Sequence, residues 1–294
     1  MIRFSEIIIG IFLSLTIAFT GVAQTSDTLP DAILWKISGK NIKTPSYLLG
    51  TIHTIPKKDF FFTENMLFAF NSCKELVLEA NYEFSSEMQK KMMQFMMLPD
   101  GKTLRDYMDK KTYERYIAFL HDSLNVSPLS LLIIPKIKPV FTLTLILNDN
   151  FEQVLFEEYL KNLAIKNNMK ISGLESMKDQ MDALDAIPVE EQIMTISDTS
   201  KYSKQDLTEY RQMIDLYKNQ KLNELGLMEK DEEIILKYSD RIVTNRNKHW
   251  VSVLKKKLKK QACFIAVGIG HLPGTKGLIL LLRKAGYTVT PVKI

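Results

Sequence analysis

Five side chains in this sequence can do chemistry together: His53, Glu79, Glu175, Arg246 and His271. The two histidines share a context. Tyr47-Leu48-Leu49 breaks at Gly50-Thr51-Ile52-His53, and Phe264-Ile265-Ala266-Val267 breaks at Gly268-Ile269-Gly270-His271. Each apolar run meets Gly-x-x-His and then a proline within three residues, Pro56 and Pro273. One such motif is ordinary turn chemistry. Its repetition points to one site assembled from both ends of the chain, because ligand groups converge on the loops after strand ends in α/β folds. Of the 4 histidines, His121 and His249 lack this context and read as structural or exposed.

Glu79 and Glu175 each end an apolar segment. Two imidazoles and two carboxylates make a site for a divalent metal, and a mixed N/O donor set suits Mn, Fe, Co or Zn with a position left for water. Metal-bound water is a nucleophile at neutral pH. Without a metal, the same groups serve as general base and acid. Arg246 can balance the carboxylates or hold an oxyanion. His-Glu-x-x-His, Gly-x-Ser-x-Gly and a phosphate-binding glycine loop are all missing from the sequence. Leu272-Pro273 breaks any dinucleotide fingerprint after Gly268-Ile269-Gly270.

The elements that must position these groups follow from periodicity. Strands are expected over residues 33–37, 46–49, 75–79, 170–174, 262–267 and 288–292, with a hairpin-type turn at 38–41. Thr63 and Ser176 are N-cap residues for helices at 64–71 and from 177 to about 187. Helices are further expected over 85–97, 112–123, 139–147, 151–167, 189–236 (with a loop at 199–203), 240–260 and 276–285. Strands early and late, with helices between, give an α/β (α+β) fold. Its mixed sheet is built from the N- and C-terminal segments, with a large helical insert. The methionines at 92, 93, 96 and 97 read as adaptable packing.

Residues 1–24 read as a signal peptide: Arg3 in a short n-region, an apolar stretch over 7–19, and small residues up to Ala23. That stretch is shorter than the roughly 20 residues a membrane span needs. The expectation is a periplasmic or secreted protein, one domain over 25–294, without stable membrane insertion after cleavage. A net charge of +5 is too mild to argue for a nucleic-acid partner, and the run 255–260 reads as a solvated basic face. Cys73 and Cys263 could pair in an exported chain or stay buried as thiols.

The sequence resembles the TraB/GumN family, which includes the Tiki-type proteases and pheromone-shutdown proteins. The matching pieces are residues 34–39, Ser46 to His53, Leu76-Val77-Leu78-Glu79, and Gly173-Leu174-Glu175-Ser176 with Gln180. Arg246-Asn247 before Trp250, residues 267–274 and residues 282–289 match as well. The position before Arg246, usually acidic in the family, is Asn245 here.

The resemblance implies a metal-dependent peptidase of the Tiki kind with Mn or Co. His53, Glu79 and His271 match active-site positions, and Glu175 and Arg246 match further motif positions. It also implies an erythromycin esterase/ChaN-like core. Two functions are expected. One is an exported hydrolase that cleaves a peptide, amide or ester bond in a peptide or small-molecule substrate. The alternative is a non-enzymatic protein that holds a metal, haem or a peptide signal with the same histidines.

Overall fold

The computed structural model describes residues 29–39, 41–81, 85–197, 205–228 and 237–294. The expected signal peptide at 1–24, the expected loop at 199–203 and the stretch 229–236 lie outside the described residues. Among the described residues there are eight strands: β1 (Leu34–Ser38), β2 (Ser46–Thr51), β3 (Thr54–Pro56), β4 (Glu75–Ala80), β5 (Gln153–Leu155), β6 (Lys170–Glu175), β7 (Cys263–Gly268) and β8 (Thr288–Pro291). Six of them form one sheet in the order β6-β4-β7-β2-β1-β8, and β3 pairs with β5 in a small second sheet. β6, β4, β7 and β2 run parallel; β1 pairs antiparallel with β2, and β8 antiparallel with β1. β2, β4 and β7 are buried at every residue, which is why their sequences run as continuous apolar segments rather than alternating ones.

This topology brings the chain ends together. β7 lies between β2 and β4, with Thr51 beside Gly268 and Leu78 beside Ala266. Ala80 faces Glu175 across the next pair. The four expected strand-end groups therefore leave the carboxyl ends of four neighbouring parallel strands, where ligands gather in α/β sheets.

The helices are α1 (Glu64–Asn71), α2 (Ser86–Met96), α3 (Lys110–Asp122), α4 (Pro128–Ile133), α5 (Thr142–Asn150) and α6 (Phe156–Lys166). They continue with α7 (Met177–Leu184), α8 (Val189–Ser197), α9 (Gln205–Lys218), α10 (Leu222–Met228), α11 (Asn245–Lys260) and α12 (Leu278–Lys284). Thr63 and Ser176 cap α1 and α7 as their sequences require: each hydroxyl accepts a backbone N–H three residues on. Among the described residues, two large apolar cores and a small methionine cluster result. One wraps the sheet around Trp35, Phe70, Phe264 and Trp250. The other lies within the helical insert, around Leu120, Phe141 and Leu145.

Three expectations are corrected in detail. The helix expected at 151–167 begins only at Phe156, because Gln153–Leu155 pairs as a strand with Thr54–Pro56. The helix expected at 240–260 opens with a π turn over Asp240–Thr244 before α11. In the basic run at 255–260, Lys257 turns inward: its Nζ lies 2.9 Å from Glu75 Oε1 and 2.6 Å from Ser172 Oγ. Cys73 and Cys263 are buried free thiols. Burial pushes both up to about 12. Of the methionines at 92, 93, 96 and 97, Met92 and Met93 pack with Met177, whereas Met96 and Met97 pack with the core of the helical insert.

Candidate active site

Arg246 is the hub of the site. Its Nη2 lies 2.7 Å from Glu79 Oε2 and 2.7 Å from Glu175 Oε1, and its Nε donates to both Glu175 oxygens. Nη1 donates to the Ile242 carbonyl at 3.0 Å and faces His271 Nε2 at 3.3 Å. The guanidinium stacks on the Trp250 ring, 4.6 Å from its centroid. The indole N–H in turn donates to Glu175 Oε2 at 2.9 Å. The π turn carries Ile242 and delivers Arg246 at the second position of α11, a placement π bulges often serve at functional sites.

Glu79 is covered on both oxygens. Oε1 accepts the Gly268 N–H at 2.8 Å, and Oε2 accepts from Arg246 and from Gln180 at 3.3 Å. Burial works against its charge, but the Arg246 guanidinium overcomes this and, with the Gly268 N–H, holds it down at about 2. Glu175 shares the same guanidinium, yet burial and the neighbouring Glu79 charge raise it. All its contacts are donors, which suits a carboxylate.

His271 has one possible tautomer. Asn247 Nδ2 donates to the carbonyls of His271 and Lys276, so its Oδ1 faces His271 Nδ1 at 2.7 Å. Nδ1 must then donate and Nε2 must accept, which agrees with Arg246, a pure donor, at Nε2. Burial lowers the imidazole to about 3, and Arg246 adds to this. His271 is therefore a neutral acceptor, with Nε2 3.9 Å from Glu79 Oε1.

His53 lies in the opposite kind of environment. Its Nδ1 is 2.7 Å from Glu157 Oε1, a buried carboxylate oxygen that also accepts from Thr51 Oγ1 at 2.9 Å. Burial lowers its affinity for a proton, but Glu157 outweighs this and the pKa is raised. The other ring nitrogen points at the second motif. A Cβ on Gly268 would lie 3.1 Å from His53 Nε2 and 3.3 Å from Glu79 Oε1. The first motif's glycine has a matching reason: a Cβ on Gly50 would lie 2.2 Å from Ile269 Cδ1 and 3.2 Å from its Cα. Each Gly-x-x-His loop thus makes room for the other.

The structure brings all five expected residues into one cluster. Glu157 and Asn247 were not assigned roles from the sequence. Asn247 stands beside Arg246 in a matching segment, whereas Glu157 lies in a helix start with no motif around it. Among the described residues, no group of three or more His, Cys, Asp or Glu side chains is arranged to hold a metal ion. The donor chemistry explains this. Glu79, Glu175 and the His271 Nε2 lone pair are all engaged by Arg246. A guanidinium stands where the sequence suggested a divalent cation, so the residues as arranged do not fit a resident metal. No helix among the described residues is long and apolar enough to cross a membrane.

Comparison with curated proteins and with solved structures returned no match. The two interlocked Gly-x-x-His loops, with Glu79, Glu175 and Arg246 between them, agree with the remaining comparison: the chain belongs to the TraB/PrgY/gumN family, whose model matches residues 33–291.

Proposed function

We propose that this cluster hydrolyses a peptide, amide or ester bond by attack of water. One observation carries the reading: His53 Nε2 and Glu79 Oε1 meet beside Gly268, and His271 Nε2 lies 3.9 Å from that same Glu79 oxygen. His53, whose pKa is raised, takes the proton of the attacking water through Nε2 and returns it to the leaving group. Ionised Glu79 and neutral His271 accept hydrogen bonds and orient that water. Arg246 is the positioning cation that keeps Glu79 charged and His271 neutral. Groups whose environments push their pKa values apart are a usual mark of acid–base assignments.

The Tiki-like reading with Mn or Co requires Arg246 to release Glu79 and His271 Nε2 first. The binding-protein reading has its own support, because the site is nearly closed: His53 is 4%, Glu79 5% and His271 7% exposed. Kinship with erythromycin esterase-type and ChaN-like proteins is part of the same proposal, supported by the mixed sheet with its strand-end site.

The deciding experiment assays purified protein and its His53→Ala and His271→Ala variants on fluorogenic peptides and aryl esters, with added Mn, Co or chelator. Hydrolysis lost in both variants and indifferent to chelation supports the acid–base reading. Hydrolysis that needs Mn or Co supports the metal reading. No hydrolysis, with haem or peptide retention dependent on both histidines, supports the binding protein. Export is proposed on the Arg3 n-region and the apolar stretch after it. N-terminal sequencing of fractionated protein should give a start near residue 24 or 25, and full-length protein in the membrane would refute it.

A further inference from the structure

We propose that Glu157 is the positioning residue of the site, fixing the tautomer and aim of His53 so that Nε2, not Nδ1, faces Gly268 and Glu79. The contact is short and buried: Oε1 lies 2.7 Å from His53 Nδ1, and Glu157 is 5% exposed. A carboxylate only accepts, so Nδ1 carries the proton and Nε2 carries the lone pair. Thr51, in the same Gly-x-x-His loop, donates to the same oxygen and fixes the carboxylate from a second direction.

The backbone around this pair is built to hold it. β3 starts immediately after His53, and β5 ends two residues before Glu157. Their ladder aligns Thr54 with Leu155, and the Phe156 N–H donates to the His53 carbonyl at 3.0 Å. The small sheet therefore clamps the histidine and the carboxylate to each other through main-chain bonds.

Glu157 is the second residue of α6, where a carboxylate serves a helix by facing its free first-turn N–H groups. The α6 N-cap, Leu155, makes no side-chain cap bond. Glu157 directs Oε1 to Thr51 and His53 instead, while Oε2 is buried without a hydrogen-bond partner. Leaving a buried acceptor unmatched costs stability, so the carboxylate is placed for His53 rather than for the helix. Residues that hold the far nitrogen of a working imidazole set its tautomer and orientation. The catalytic consequence rests on the hydrolase reading; the tautomer does not.

The test uses the full chain labelled with 15N-histidine. With 4 histidines, each imidazole can be assigned by its own His→Ala variant. At alkaline pH, long-range 1H–15N correlations should show His53 protonated on Nδ1, with a downfield proton slow to exchange. Glu157→Leu should abolish that proton and leave the His271 signals in place. Glu157→Gln, which keeps an acceptor, should preserve the tautomer.

On a hydrolysed substrate, Glu157→Leu should lower kcat by roughly 10–100-fold, as supporting-shell losses do, with KM within about twofold. Glu157→Gln should recover part of the loss. A wild-type His53 protonated on Nε2 overturns the proposal, and this needs no variant to fold. Unchanged His53 signals in Glu157→Leu overturn it too. If the tautomer is as stated but no substrate is hydrolysed, the hydrolase reading fails and Glu157's hold on His53 stands.

Discussion

His53 and His271 occupy the same place in the same motif, on neighbouring parallel strands, and end in opposite electrostatic states. His53 is bound through Nδ1 to a carboxylate and has its pKa raised. His271 is bound through Nδ1 to an amide, sits against a guanidinium and falls to about 3. Burial is nearly equal, so it does not separate them. The partner of Nδ1 and the nearest cation do. A repeated motif thus gives two positions, and the residues brought in from other elements decide which holds a proton and which refuses one.

The largest effect should come from removing the cation on the His271 side. Arg246→Leu leaves Glu79 and Glu175 buried without their shared partner and should cost about 3–5 kcal/mol, read as a lower urea midpoint. In the surviving folded fraction, the His271 pKa should rise from about 3, with burial still holding it below its ordinary value, while His53 keeps its pairing. If His271 does not move at all, Arg246 has no part in its depression and the contrast between the two loops is misattributed.

Next is the interlock that both loops share. Gly50→Ala places a methyl group against Ile269, including its backbone, and should cost about 1–3 kcal/mol as overpacking does. Both histidine signals should shift together. A shift confined to His53 would show that the loops are independent. Asn247→Leu should then cost about 1–3 kcal/mol for the unmatched His271 Nδ1–H and backbone carbonyls. It should release the His271 tautomer and leave that of His53 alone.

The most gradual effect lies in the pH dependence of stability, with a slope of at most about 1.4 kcal/mol per pH unit for each group. His53 binds its proton more tightly when folded. Its contribution is fully present below pH 6.5 and is lost as pH rises through the raised folded value. His271 is the reverse: between pH 6.5 and about 3 the unfolded chain takes up a proton that the folded chain refuses, so stability falls as pH falls. His53→Ala should flatten the stability curve above pH 6.5, and His271→Ala should flatten it below. Denaturant midpoints across pH check both. The same change from both variants would contradict the asymmetry.

Much of this was legible in the sequence. The apolar runs ending in Gly-x-x-His announced strand ends, and Thr63 and Ser176 announced helix starts, because each signal is local and has a local cause. Glu157 was illegible for the same reason. Its partnership depends on β3 and β5, strands of three residues whose pairing no periodicity can show. The sequence offered Arg246 as a balance for the two carboxylates, but not as a partner of His271. Only the folded chain shows that Arg246 reaches Glu79, Glu175 and His271 at once, and the π turn that places it carries no marker in residues 240–244.

The position of β7 in the sheet sets when the site can exist. β7 is the second-to-last strand to leave the ribosome, yet it lies between β2 and β4. Without it, β1 and β2 have no hydrogen-bonded link to β4 and β6. His53 with Glu157, and Glu79 with Glu175 and Arg246, can each pair earlier in synthesis, but the two groups wait for residues 263–271 before the sheet joins them. A chain interrupted before this point is two unjoined half-sheets, and the site has no partially assembled form that could act early.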